Sequence, residues 1–144
     1  MRTAQGWAGI GTVAVETIRT LIVDDDAAFR EGLRALLETA DDIEVAGDTA
    51  DGEQALVVAP RVRPDVVLLD LTLPGMGGTA ATERLLLATP GARVLLMALA
   101  EDDEPVFEAL RAGARGYVLK GAGRAEVLRA VRAVAAGEIV APAL

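Results

Sequence analysis

Three carboxylates, Asp24, Asp25 and Asp26, stand side by side at the end of the apolar run LIV. A further acid, Asp70, closes the run DVVLL, and Lys120 closes GYVL. Carboxylates packed together repel, so water, a basic side chain or a metal ion must offset them. Mg²⁺ suits such a group: it takes one or two carboxylates, keeps some waters and leaves positions for phosphate oxygens. Mn²⁺ accepts the same oxygen ligands. Beside such an ion, a carboxylate like Asp70 can attack phosphorus and form an acyl phosphate. Lys120 would then neutralise a phosphate oxygen as a point charge. Phosphoryl transfer asks for little more, because its catalysis is mainly positioning and charge neutralisation.

Each residue also has a plainer reading. Consecutive acids are usually a solvated loop, Asp70 alone suits a turn before LPGMGG, and a lone lysine is most often a solvated charge. What separates the readings is where the chain places these residues. Short apolar runs at 18–24, 43–48, 65–70, 93–99 and 116–120 read as strands, several of them apolar almost throughout. That pattern fits a parallel sheet covered on both faces. Amphipathic stretches at 27–40, 51–59, 79–89, 104–114 and 125–137 read as helices. The first sets Phe29, Leu33, Leu36, Leu37 and Ala40 along one stripe, with Arg30, Glu31, Arg34 and Glu38 outside it. Asp26 is placed to cap that helix, and Asp51 and Gln54 have capping-box spacing at the start of the next. Five strand–helix units in succession imply right-handed crossovers and a doubly wound α/β fold, a (βα)5 three-layer sandwich. Ligands in such folds gather outside the carboxyl ends of the strands. Asp24 to Asp26, Asp70, Ala98 with Leu99, and Lys120 all belong to that edge.

Composition narrows the function classes. The 144 residues are 52% hydrophobic with a mean hydropathy of +0.36, which suits one globular domain. A net charge of −8 repels phosphate backbones, so direct binding to nucleic acid is not expected. The chain has no cysteine and no histidine, which excludes disulfides, thiolate metal sites and imidazole acid–base catalysis. The apolar run VLLMALA (94–100) is far short of the ~18 residues a membrane span needs. A cytoplasmic location fits these features. Residues 1–17 read as a mobile tail, and its GIGTVA (9–14) is no dinucleotide site because no strand precedes it.

The stretches LIVDDD, DVVLLDLTLPGMGG and EALRAGARGYVLK, in this order and spacing, resemble the receiver domain of two-component response regulators over about Ile18 to Gly137. FREGLRALLE and RAGARGYVLK resemble the NarL/FixJ (LuxR-type) subfamily in particular. The resemblance implies a five-stranded parallel sheet of order 2-1-3-4-5, as in flavodoxin. It implies that Asp70 is the phosphoacceptor and that Asp24 and Asp25 hold Mg²⁺ with Asp70 and the backbone carbonyl of Thr72. It makes Lys120 the phosphate-binding lysine and Tyr117 an aromatic that reorients on activation. A sensor histidine kinase is the implied phosphodonor, and the helices flanking the fifth strand are the implied surface of a homodimer. DNA would be reached only through an effector domain beyond this chain, to which 138–144 would begin the linker.

Ala98 departs from the family, which usually has Thr or Ser there to bond a phosphoryl oxygen. Its neighbour Leu99 is bulkier than the usual residue and is expected to narrow access to Asp70. Gly77 stands where the family often has Asp, and no chemistry is attached to it. Three functions therefore stay open: a phosphorylated receiver with a weakened switch, a phosphorylation-independent interaction domain of the same fold, and a small phosphohydrolase. The last would want an acid two residues after the nucleophile, where this chain has Thr72.

Overall fold

The computed structural model describes residues 16–100 and 103–141. The expected tail lies outside the described residues except for its last two positions. Strands β1 (Ile18–Val23), β2 (Ile43–Thr49), β3 (Val66–Asp70), β4 (Arg93–Ala98) and β5 (Gly116–Leu119) form one sheet in the order β2-β1-β3-β4-β5, with every pairing parallel. Helices α1 (Ala27–Glu38), α2 (Gly52–Val62), α3 (Gly77–Ala88), α4 (Asp103–Arg111) and α5 (Arg124–Ala135) alternate with them.

The apolar runs end up where their composition demands. All five residues of β3 are buried, and so are the last four of β1 and the last five of β4. Alternate side chains serve two cores. Leu21, Val23, Val67, Leu69 and Leu96 pack with Ala55, Ala81, Leu85 and Ala109 from α2, α3 and α4. Ile22, Leu68, Leu95 and Met97 pack on the other face with Leu33 and Leu37 of α1 and Val127, Val131 and Val134 of α5. Each buried Val, Leu, Ile or Met side chain among them contributes ~1.5–3 kcal/mol by leaving water.

The helices depart from the expected bounds by one to three residues, and in α2 and α3 the departure has a structural reason. Helix α2 runs on through Pro60 to Val62, where Arg63 takes a left-handed conformation, φ 51°, and its amide bonds the Ala59 carbonyl at 2.8 Å. Proline is tolerated because it is exposed in the last turn and forfeits only one backbone bond. Helix α3 begins at Gly77, inside what reads as a turn. Gly78 is drawn against the loop after β3, its amide bonding the Leu71 carbonyl at 3.1 Å, and the Thr82 hydroxyl donates to the Gly78 carbonyl at 2.8 Å. Close backbone approach outweighs glycine's poor helix propensity there.

The chain does not leave the sheet at the end of α5. Gly137, φ 91°, turns it back: its amide bonds the Val134 carbonyl at 2.9 Å and the Glu138 amide bonds Ala133 at 2.9 Å. This is the Schellman arrangement. Val140 then lies along the free edge of β5, accepting from the Tyr117 amide at 3.1 Å and donating to the Arg115 carbonyl at 2.9 Å. The stretch read as the start of a linker thus opens with a short parallel bridge onto the sheet.

Candidate functional site

Three loops at the carboxyl edge converge. After β1, Asp26 caps α1, its carboxylate accepting from the amides of Ala28 at 2.9 Å and Phe29 at 3.2 Å. Asp26 therefore serves the helix, which leaves Asp24 and Asp25 free for other work. Asp24 is 1% exposed and Asp25 is exposed. The Asp26 amide donates to Asp24 Oδ1 at 2.9 Å, and the Arg30 guanidinium donates to the Asp24 carbonyl at 2.7 Å. At the end of β3, Asp70 is 2% exposed, and its Oδ1 accepts from the amide of Thr72 at 3.0 Å and its hydroxyl at 3.1 Å. Asp24, Asp25 and Asp70 each bring a carboxylate oxygen within 4.8 Å of the others.

Lys120 arrives from the far end of β5, its amide bonding the Ala98 carbonyl at 2.7 Å. Its ammonium lies 2.6 Å from Asp24 Oδ2 and 3.4 Å from Asp70 Oδ2. Burial is the largest influence on its pKa and pushes it down, but the combined pull of Asp24 and Asp70 wins and holds it above the ordinary lysine value. The contact to the buried Asp24 Oδ2 is the shorter of the two, and among the described residues no other donor reaches that oxygen.

The remaining sequence candidates sit nearby in different states. Ala98, at the end of β4, is 2% exposed, whereas Leu99 beside it is 76% exposed. Tyr117 is half-buried on β5 against the α2–α4 core, opposite Leu96. Two contacts escape a reading of the sequence. Phe29, taken as core, sets its ring 4.6 Å from the Lys120 ammonium. Arg30, read as an outside residue, is half-buried and spans from the Asp24 carbonyl to Asp48 on β2, 3.6 Å away. The only signal available for either is its place in the first turn of the helix that follows the acids.

A family model described as the response regulator receiver domain matches residues 20–132. Response regulator GacA of Pseudomonas viridiflava is 42% identical over 121 residues, which cover 84% of this chain and 56% of that protein. The nitrate/nitrite response regulator protein NarL of Escherichia coli K12 is 36% identical over 125 residues, 87% of this chain and 58% of that one. The chain thus spans little more than half the length of these relatives. Among solved structures, the signal receiver domain of the putative response regulator NarL from Mycobacterium tuberculosis superposes with a TM-score of 0.81 at 35% identity, covering 85% of this chain and 99% of that one.

Proposed function

The chain belongs to the response regulator receiver domain family, in its NarL/FixJ type, and from that premise we propose that it accepts a phosphoryl group on Asp70 from a sensor histidine kinase. The observation that carries the reading is the meeting of Asp24, Asp25, Asp70 and Lys120 at one edge of the sheet. An octahedral Mg²⁺ with ligands at about 2.1 Å sets adjacent oxygens roughly 3 Å apart and opposed ones roughly 4.2 Å apart. Three carboxylate oxygens within 4.8 Å fit that size, and the buried Asp24 Oδ2, whose one close partner is a lysine able to swing away, is an atom such an ion would satisfy. Asp24, Asp25, Asp70 and the Thr72 carbonyl would hold Mg²⁺ or Mn²⁺. When bound, the ion would neutralise charge developing on the phosphoryl oxygens.

The protein's own residues do the rest. Thr72 orients the Asp70 carboxylate through two hydrogen bonds to Oδ1. A carboxylate oxygen forms the O–P bond while the donor's P–N bond breaks and its electron pair stays on the imidazole nitrogen. Lys120 then turns from the acids to a phosphoryl oxygen. The step replaces the single negative charge of the Asp70 carboxylate by a phosphoryl group of about −1.5 to −2. The net gain, roughly half to one negative charge carried farther from the backbone, biases the loops after β3 and β4, with Tyr117 and a dimer or output surface behind them. Relatives such as the transcriptional regulatory protein LiaR of Bacillus subtilis are about one and a half times as long, and a chain of net charge −8 would reach DNA only through their kind of effector segment. A cytoplasmic setting belongs to the same reading, and among the described residues no helix is long and apolar enough to cross a membrane.

Ala98 has no hydroxyl to offer a phosphoryl oxygen, so phosphorylation is weakly coupled to conformation in this reading. That same residue, with Leu99, favours a second reading, a phosphorylation-independent interaction domain. Incubation with acetyl phosphate and Mg²⁺ followed by intact-mass measurement decides between them. A labile gain of one phosphoryl mass, abolished in Asp70→Asn, is expected. No adduct with any of several phosphodonors would favour the second reading, and steady turnover of donor would favour a phosphohydrolase.

A further inference from the structure

We propose that Phe29 is a positioning residue for Lys120, and that its ring sets how firmly the ammonium occupies the seat a divalent cation needs. The inference rests on the reading of Asp24, Asp25 and Asp70 as that seat. In this structure the lysine is nearer to Asp24 than to Asp70, 2.6 Å against 3.4 Å. It is thus shared between the two buried acids and held more closely by the one at the mouth of α1 than by the nucleophile. An ion about 2.1 Å from Asp24 Oδ2 and an ammonium 2.6 Å from the same oxygen compete for one side of it. The two cations would also repel across a short, poorly solvated gap. Binding of the ion therefore expels the ammonium from Asp24 and frees it for a phosphoryl oxygen on Asp70.

Phe29 decides how easily that happens. Its ring lies 4.6 Å from Nζ, inside the range in which an aromatic face attracts a cation. The ring is held there for reasons of its own: it packs on the α1–α5 core, and its amide is bonded by the capping Asp26. The ammonium is caught between two carboxylates and an aromatic ring. Removing the ring weakens the lysine's hold and leaves the carboxylates untouched, so a divalent cation binds more tightly. A variant damaged in its packing would shift in the opposite direction.

Titration of the intact chain with Mn²⁺, counting free ion by its EPR signal, tests this. Phe29→Leu, which keeps an apolar side chain, should lower the dissociation constant roughly two- to fivefold. Lys120→Met should lower it further, and adding Phe29→Leu to Lys120→Met should change nothing more. Equal or weaker Mn²⁺ binding in Phe29→Leu, or the same factor with the lysine absent, overturns the role of Phe29 and leaves the metal seat standing. No Mn²⁺ uptake by the unaltered chain at millimolar ion overturns the seat, and the inference with it.

Discussion

If Asp70 is phosphorylated as proposed, replacing Ala98 by serine would offer the phosphoryl group a hydroxyl that Ala98 does not. Ala98 is 2% exposed at the end of β4, between the Asp70–Met97 and Ala98–Leu119 pairings of the sheet, and its carbonyl takes the Lys120 amide. A hydroxyl placed there without a partner costs ~1–3 kcal/mol in the unphosphorylated state. Bonded to an anionic phosphoryl oxygen it contributes ~1.5–3 kcal/mol, a factor of roughly ten to 150 in the coupling between phosphorylation and conformation. The serine variant should therefore be the less stable protein alone and the one that gains more from the switch.

The assay is thermal unfolding of both proteins with and without beryllium fluoride, a phosphoryl mimic, in Mg²⁺. For a chain of this size 1 kcal/mol moves the midpoint by about 3–5 °C. The shift caused by the mimic should thus be larger in Ala98→Ser by roughly 5–15 °C. Comparison within each protein removes the change in starting stability. Equal shifts in the two would refute the reasoning, because they would mean that the missing hydroxyl is not what limits coupling here.

Gly78→Ala should destabilise by ~1–3 kcal/mol in urea unfolding, because its Cβ would stand 2.6 Å from the Leu71 carbonyl oxygen and must push the loop after Asp70. Gly116→Ala should release Val140 from the edge of β5, since a Cβ there runs into the Val140 carbonyl. Hydrogen exchange at the Tyr117 amide should then rise by roughly tenfold or more, and an unchanged rate would mean the bridge contributes nothing. The carboxylate of Asp42, bonded by Arg132 at 2.8 and 2.9 Å, is held below its ordinary pKa chiefly by that hydrogen bond. A depressed folded-state pKa means stability present above the unfolded value of 3.8 and lost as pH falls through the folded one. Asp42→Asn should flatten the acid limb of the midpoint-against-pH curve, and an identical limb would show the pair to be idle.

The strands were legible to within about a residue because a run buried on both faces must be apolar nearly throughout, and that is a local property of LIV, VVLL and VLLMA. The caps at Asp26 and Asp51 were legible for the same reason: donor and acceptor are three residues apart or fewer. At Asp51 the box is looser than its pattern, since Gln54 reaches the Ala50 amide instead of that of Asp51. What stayed hidden is non-local. The start of α3 at Gly77 depends on how near Leu71 comes to Gly78, and the docking of Val140 depends on the missing side chain of Gly116, neither of which leaves a periodic trace.

The acids and the lysine escaped this limit because the strand-end rule turns a three-dimensional meeting into positions along the chain. Nothing similar exists for the residues that hold them. Phe29 obeys the apolar stripe of α1 and also faces an ammonium, while Arg30 breaks the stripe and bonds a carbonyl. Both are fixed by the Asp26 cap, because the cap sets where α1 begins and so the angle at which its first turn meets the seat. Residues 24–30 therefore serve the fold and the site at once, the cap by direction and the acids by charge. A substitution that only shortens the helix by its first turn would loosen the lysine and the Asp24 backbone together, with every acid still in the chain.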